Sequence, residues 1–227
     1  MTLRVLVVDD QAIARAGIAT MLEAEHDMSV VGRSADGEEA VRDARATRPD
    51  VIVMDIRMPR LDGISATRRL VPELGCAVVL ITTFDDDEHL FDGIAAGASG
   101  FLLKDSGPDL IAAAVRSAAR GDSLIDPAMT RALIEQRAAP SVPVAADALR
   151  LAALATLSER ERDVLDAVAR GLSNVDIATE LFLSTATIKS HVSSMLAKTG
   201  SSTRVQAAVF AFQSGFTRPG AGPRGDG

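Results

Sequence analysis

Five side chains in the first half of the chain, Asp9, Asp10, Asp55, Thr82 and Lys104, each stand at or just past the end of a short apolar run. Asp55 ends Val51-Ile-Val-Met54, a run bounded by Pro49-Asp50 and Pro59, which reads as a strand buried on both faces. Asp9-Asp10 follow Leu3-Arg-Val-Leu-Val-Val8, Thr82 ends Val78-Val-Leu-Ile81, and Lys104 follows Phe101-Leu102-Leu103. An ionised carboxylate can form an acyl phosphate, and crowded carboxylates repel one another unless a hard cation sits among them. Asp55 is therefore the candidate nucleophile toward a phosphoryl donor. Asp9 and Asp10 are the candidate holders of Mg²⁺, a cation that accepts a few carboxylates and several waters. Lys104 can set a point charge against phosphoryl oxygens, and Thr82 can donate its hydroxyl to them. An Asp-Asp pair after a strand is often a turn or a cap, and a strand-end Thr or Lys is often only solvated, so the weight lies in the combination.

Such residues need a scaffold that brings strand ends to one rim. Strands are expected near residues 3–8, 28–33, 51–54, 78–82 and 99–102, and helices near 11–24, 37–47, 62–71, 86–96 and 107–119. That alternation makes five βα units. Right-handed crossovers would turn them into a five-stranded parallel sheet covered on both faces, with every C-terminal strand end on the same edge. In open α/β sheets that edge is where ligands bind.

With 227 residues and 47% hydrophobic content, the chain is long enough for two domains with separate cores. Its single cysteine, Cys76, excludes a disulfide framework or a thiolate metal site and reads as a small buried residue. The start Met-Thr-Leu-Arg4 runs directly into a strand without a signal pattern, and no apolar run is long enough to span a bilayer, so a cytoplasmic protein without membrane contact is expected. The formal charge of −7 is unevenly spread, with 13 Lys/Arg against 21 Asp/Glu in residues 1–124 and six against six in residues 155–216. The second half can therefore meet a polyanion with one face.

Residues 125–153 change character. Asp126-Pro127 can open a helix to about Arg137, and Ala138-Ala-Pro140-Ser-Val-Pro143-Val-Ala-Ala146 then reads as an extended linker. Leu149 to Leu154 fits either a linker helix or the leading segment of the next domain. From Leu157 the pattern is helical. Leu157-Ser158-Glu-Arg-Glu161 is a capping box, Gly171 stops that helix, and Leu172-Ser173-Asn174 caps a short one. After Phe182-Leu-Ser184 comes a longer helix, Thr185 to Thr199, and two helices joined by so short a turn form a helix-turn-helix whose second member enters the DNA major groove. This helix contains no acid; Ile188, Val192, Met195 and Leu196 face inward, and Thr187, Lys189, Ser190 and Ser193 face outward. A merely solvated outer face would look the same. The last helix, about 203–214, carries an apolar stripe of Val205, Ala208, Val209 and Phe212, and residues 217–227 read as a disordered tail.

The ordered set of Asp9-Asp10, Asp55, Thr82 and Lys104 resembles the receiver domain of two-component response regulators. Met58-Pro59-Arg-Leu-Asp62-Gly63, Thr82-Thr-Phe-Asp-Asp86 and Gly97-Ala-Ser-Gly100-Phe-Leu-Leu-Lys104-Asp105 strengthen the likeness. Leu157-Ser-Glu-Arg-Glu161, Gly171-Leu-Ser-Asn174, Thr187-Ile-Lys-Ser-His-Val192 and Arg204-Val-Gln-Ala-Ala208 resemble the LuxR-type helix-turn-helix, and the two together look like a NarL/FixJ-family response regulator. The resemblance implies a flavodoxin-like (βα)5 receiver over 1–124, a linker over 125–153, and an all-α DNA-binding domain over 154–216.

It further implies phosphotransfer from a sensor histidine kinase to Asp55, with the backbone carbonyl of Arg57 joining Asp9, Asp10 and Asp55 around Mg²⁺. Phe101 becomes a switch aromatic that turns inward when Thr82 moves toward the phosphoryl group, although an ordinary core Phe fits the sequence equally well. Arg57 and Phe84 flank the path of an attacking water. Lys189 and His191, with Thr187, Ser190 and Ser193, are implied contacts to double-stranded promoter DNA. The stripe of Val205, Ala208, Val209 and Phe212 is implied to pair effector domains in a homodimer formed on phosphorylation, or else to be intradomain core, and RNA polymerase is a further implied partner. Thr199 and Ser201 replace residues that are usually apolar in the family, which predicts a looser corner there.

Two other readings compete. An aspartyl-phosphate-type phosphatase also uses an Asp nucleophile with Mg²⁺, but it needs a second acid near the first, and the residue two after Asp55 is Arg57. A DNA-binding regulator independent of phosphorylation would have no use for the intact acid, Thr and Lys set.

Overall fold

The computed structural model describes residues 2–83, 87–126 and 144–216. The chain divides into two compact units, residues 1–138 and 139–227. In the first, β1 (Leu3–Val8), α1 (Ala12–Glu23), β2 (Met28–Ser34), α2 (Gly37–Thr47), β3 (Val51–Asp55) and α3 (Gly63–Leu74) alternate as their apolar patterns dictate. They are followed by β4 (Ala77–Thr82), α4 (Asp87–Ala96), β5 (Gly100–Leu103), α5 (Pro108–Ala119) and β6 (Leu124–Ile125). The sheet is parallel throughout, in the order β2-β1-β3-β4-β5-β6.

It has six strands, not the expected five. Gly100 pairs with Leu124 and Phe101 with Ile125, and a two-residue strand is too short to leave a periodic signal in the sequence. The sheet therefore runs past residue 124, and Asp126 is tied in as well, its N–H donating to the Phe101 carbonyl at 2.8 Å. α3 also outruns its expected end at residue 71. Pro72 lies in its last turn, where the missing N–H costs a single bond, and Gly75 closes the helix in the left-handed conformation at φ 65°.

The central strands β3, β4 and β5, and most of β1, are buried on both sides. Val5, Val7, Val53, Val79, Ile81 and Leu102 meet Ile18 and Leu22 of α1 and Ile111 and Val115 of α5. The alternate positions Leu6, Ile52, Met54, Leu80 and Phe101 are fully buried on the opposite face.

The second unit comprises α6 (Val144–Ala155), α7 (Glu159–Ala169), α8 (Asn174–Glu180), α9 (Thr185–Thr199) and α10 (Arg204–Gln213). Ser158 and Ser173 form capping boxes with Glu161 and Asp176, while Ser184 and Thr203 cap α9 and α10. Leu157, Val164, Leu165, Val168, Ile177, Ile188, Val192 and Met195 make one core, against which Leu154 at the end of α6 also packs. The stretch 149–154 is thus a leading segment of this unit. The polar substitutions at the α9 end find partners, since the Thr199 hydroxyl lies 2.9 Å from the Met195 carbonyl and 3.0 Å from Ser201 Oγ. The end of the expected extended linker is helical instead, since α6 begins at Val144 and Val144–Ala146 form its first turn; the rest of that linker, the expected helix beyond Asp126, Phe84 and the tail 217–227 lie outside the described residues. No helix among the described residues is long and apolar enough to cross a membrane.

Candidate functional site

Strand order and register assemble the acid cluster. β1 and β3 are neighbours, and Val8 aligns with Met54, so Asp9 emerges beside Asp55. Asp55 aligns with Ile81 and Thr82 with Leu103, which brings Thr82 and then Lys104 to the same rim. The Lys104 N–H donates to the Thr82 carbonyl at 2.6 Å, locking the two strand ends together. β2 and β3 lie on either side of β1, so chain order reverses here and opens a crevice at the carboxyl ends.

Asp9 and Asp55 are buried, Asp10 is exposed, and one carboxylate oxygen from each lies within 4.8 Å of the others. Lys104 bridges two of them, with Nζ 2.8 Å from Asp55 Oδ2 and 2.9 Å from Asp9 Oδ2. Asp9 Oδ1 accepts from the Gln11 N–H at 2.8 Å, whereas among the described residues no well-directed hydrogen bond reaches its Oδ2 despite the nearby ammonium. Burial pushes the Asp55 carboxyl above its usual range; the Lys104 hydrogen bond and charge pull it back, and Asp9 and Asp10 push it up again. Burial works against the Lys104 ammonium, but its hydrogen bond to Asp55 and the close negative charge of Asp55 and Asp9 outweigh that and hold its pKa above the ordinary value. Three carboxylates against one ammonium, all with hard oxygen donors and one buried oxygen lacking a directed donor, suit a divalent cation such as Mg²⁺.

Thr82 is fully buried, with its hydroxyl 3.3 Å from the Thr83 carbonyl. Phe101 is fully buried too. Its ring lies against α4 where Gly93 leaves room, since a Cβ there would come within 2.6 Å of Cζ. Arg57 is exposed and extends Nη2 to 3.4 Å from the Thr83 hydroxyl, so the residue two after Asp55 reaches the one beside Thr82. That contact leaves no signal in the sequence. Nor does the sequence signal the ties behind the loop that leaves Asp55, where Arg60 pairs with Asp36 and Glu39 and the Gly37 N–H donates to the Leu61 carbonyl at 3.0 Å. Their only trace in the sequence is the Asp36-Gly37 and Arg60-Leu-Asp62-Gly63 pair of turns.

On α9, Lys189, Ser190 and Ser193 are exposed, and Thr187 and His191 are half-buried. Thr187 Oγ1 is 2.8 Å from Ser184 Oγ at the helix start, and the Ser193 hydroxyl donates to the Lys189 carbonyl at 3.0 Å. Lys198 turns away to Glu161 on α7, with Nζ 2.7 Å from Oε2, and Ser194 also donates to Glu161. Arg204 is buried and reaches Asn174 Oδ1 at 3.0 Å and the Leu172 carbonyl, anchoring α10 to the start of the helix-turn-helix. On α10, Val205 is buried, Ala208 is half-buried against the domain core, and Val209 and Phe212 are half-buried.

Residues 5–116 match the response regulator receiver domain, and residues 155–211 match the bacterial regulatory proteins of the luxR family. The chain is 38% identical to the uncharacterized transcriptional regulatory protein YxjL of Bacillus subtilis (strain 168), over 95% of this chain and 98% of that one. It is 36% identical to the transcriptional regulatory protein LiaR of the same organism, over 92% of this chain and 96% of that one. Among solved structures, the response regulator ChrA of a heme-sensing two-component system is 32% identical with a TM-score of 0.53, covering 95% of this chain and 99% of ChrA. A rim of three acids, Thr and Lys on a parallel sheet, followed by a helix-turn-helix and matched along nearly its whole length, makes this chain a member of the NarL-type response regulators, two-component transcriptional regulators with a receiver and a LuxR-type DNA-binding domain.

Proposed function

We propose that the protein is switched by phosphorylation of Asp55, received from a sensor histidine kinase, and that the switch governs its binding to promoter DNA. The observation that carries this reading is the Lys104 ammonium held between Asp55 and Asp9 with Asp10 alongside. An Asp55 carboxylate oxygen bonds to phosphorus while the P–N bond of a kinase phosphohistidine breaks, and the electron pair leaves with the imidazole, which takes a proton from solvent. Asp9, Asp10, Asp55 and the Arg57 carbonyl would hold Mg²⁺, which when bound neutralises charge on the phosphoryl oxygens. Lys104, now spent on two carboxylates, supplies its charge to the new phosphoryl group. Thr82 gives it a hydroxyl donor, and any movement of Thr82 opens or closes space beside Phe101.

On α9, the exposed Lys189, Ser190 and Ser193, with Thr187 and His191 beside them, form the face offered to the major groove. The homodimer would draw on the α10 stripe of Val205, Ala208, Val209 and Phe212, of which Val205 is buried and the other three are half-buried. RNA polymerase is the further partner such a regulator meets on DNA, in the cytoplasm. The receiver takes one phosphoryl group per chain and does not turn over external monoesters as a phosphatase would. Labelling by acetyl phosphate tests the assignment: it should need Mg²⁺, stop at one group per chain and vanish in Asp55→Asn. Label that survives both chelation and that substitution would sink it.

A further inference from the structure

Asp36 is a buried carboxylate, 0% exposed, at the start of α2. Its Oδ1 caps the helix, accepting from the Glu38 N–H at 2.7 Å and the Glu39 N–H at 2.9 Å. Among the described residues no directed hydrogen bond reaches its Oδ2, and the charge set against that oxygen is the Arg60 guanidinium, which also lies 3.3 Å from Glu39 Oε1. Removing a charge from water is costly unless a counter-charge meets it, so Asp36 strongly favours loop shapes that deliver Arg60. Arg60 adopts a left-handed backbone, φ 66°, a conformation that a long side chain seldom takes without compensation.

The loop that Arg60 belongs to, residues 56–62, is the one that leaves Asp55. It closes on itself, with the Gly63 N–H donating to the Ile56 carbonyl at 2.9 Å, and it is stitched to α2 where the Gly37 N–H donates to Leu61. Gly37 has no room for a side chain there, since a Cβ would stand 2.5 Å from the Leu61 carbonyl oxygen. The ion pair and this stitch act on the same short segment, which includes the Arg57 carbonyl.

We infer that Arg60 is a positioning residue for phosphoryl transfer: its pairing with buried Asp36 holds the loop so that the Arg57 carbonyl and Asp55 share one metal-binding geometry. The inference rests on Asp55 being the acceptor. Arg60 touches neither metal nor phosphoryl group; it acts through the backbone of its own loop.

The test uses the full chain and compares Arg60→Ala, Arg60→Gly and Arg60→Lys with the parent. Amide exchange at Leu61 and Gly63 is measured without metal, and the Gly63 amide shift is followed in a magnesium titration. The magnesium dependence of acetyl phosphate labelling is the third readout. In the Ala and Gly variants, both amides should exchange faster and half-saturation should need about tenfold more magnesium, the lower end of what groups just behind a metal ligand contribute. Arg60→Lys should recover part of both effects. Arg60→Gly separates charge from strain, because it relieves the positive φ while removing the guanidinium; performance equal to or better than the parent would overturn the inference. Asp36→Asn keeps the capping oxygen and removes the charge, so combining it with Arg60→Ala should be no worse than either change alone. Additive losses, or an unchanged magnesium dependence in Arg60→Ala, would also overturn it. A parent chain that takes no label, or label retained in Asp55→Asn, would instead defeat the acceptor assignment, with the exchange data still reporting on the ion pair.

Discussion

Gly63 shows how far a single missing side chain can control the placement of a buried carboxylate. A Cβ at this position would stand 2.1 Å from the Asp55 carbonyl oxygen and 3.1 Å from the Ile56 Cα, so the first turn of α3 packs directly on the Asp55 backbone. Gly63→Ala must push the two apart. We expect a stability loss of about 1–3 kcal/mol, the usual range for overpacking, together with slower acetyl phosphate labelling as Asp55 leaves its place beside Lys104. Thermal melts and labelling rates on the same sample check this, and a variant with parental stability and labelling would show that the loop absorbs the methyl group. The acids, Thr82 and Lys104 were legible in the sequence because each ends an apolar run, and strand ends in a parallel sheet share an edge. Asp36 and Arg60 were not, because a helix cap and a loop cation look like ordinary surface residues until the fold brings them together.

Among the elements, long periodic segments were legible and short or interrupted ones were not. β6 has only Leu124 and Ile125, and α3 continues through Pro72 because a proline near a helix end forfeits little. The capping box of α7 was readable as Ser158 to Glu161, but the second use of Glu161 was hidden. Its carboxylate accepts from the Ser158 N–H at 2.7 Å and also grips α9, with Oε1 2.9 Å and Oε2 2.7 Å from Lys198 Nζ. Lys198 and Ser194, with the Ser158 bonds, hold its pKa at about 2, below the ordinary 4.5. A carboxyl whose pKa is depressed on folding contributes stability above its unfolded pKa and loses it as pH falls through the folded value. The window is therefore pH 4.5 down to about 2. Glu161→Gln should weaken the α7–α9 contact by about 1–2 kcal/mol at neutral pH, a figure discounted for solvent around the half-exposed Lys198. The difference from the parent should shrink as the parent is acidified through that window. Amide exchange in α7 and α9 of the full chain reads it directly, and a difference constant from pH 6 to pH 3 would assign the loss to packing instead of charge.

For the molecule as a whole, the charge distribution bears on how binding is controlled. The receiver stretch is strongly acidic while residues 155–216 are balanced, so little long-range attraction draws the protein to DNA. With Lys198 committed to Glu161, Lys189 is the fixed cation on the exposed face of α9. Affinity from phosphate contacts scales with the cations engaged, so one copy of this helix should bind weakly. Phosphorylation can raise such binding either by uncovering α9 or by pairing two effector domains. Pairing has the stronger physical case, because two half-sites held by one dimer raise the effective concentration of the second contact and offset a poor first one. The expected outcome is a full chain that sediments as a monomer and becomes a dimer with beryllofluoride and Mg²⁺, its DNA affinity rising in step. A fragment of residues 150–227, which contains the second unit's own core, should bind the same DNA no better than the unmodified chain. If the fragment binds more tightly than its parent, and the loaded chain stays monomeric, uncovering is the mechanism and the weak α9 face is sufficient alone.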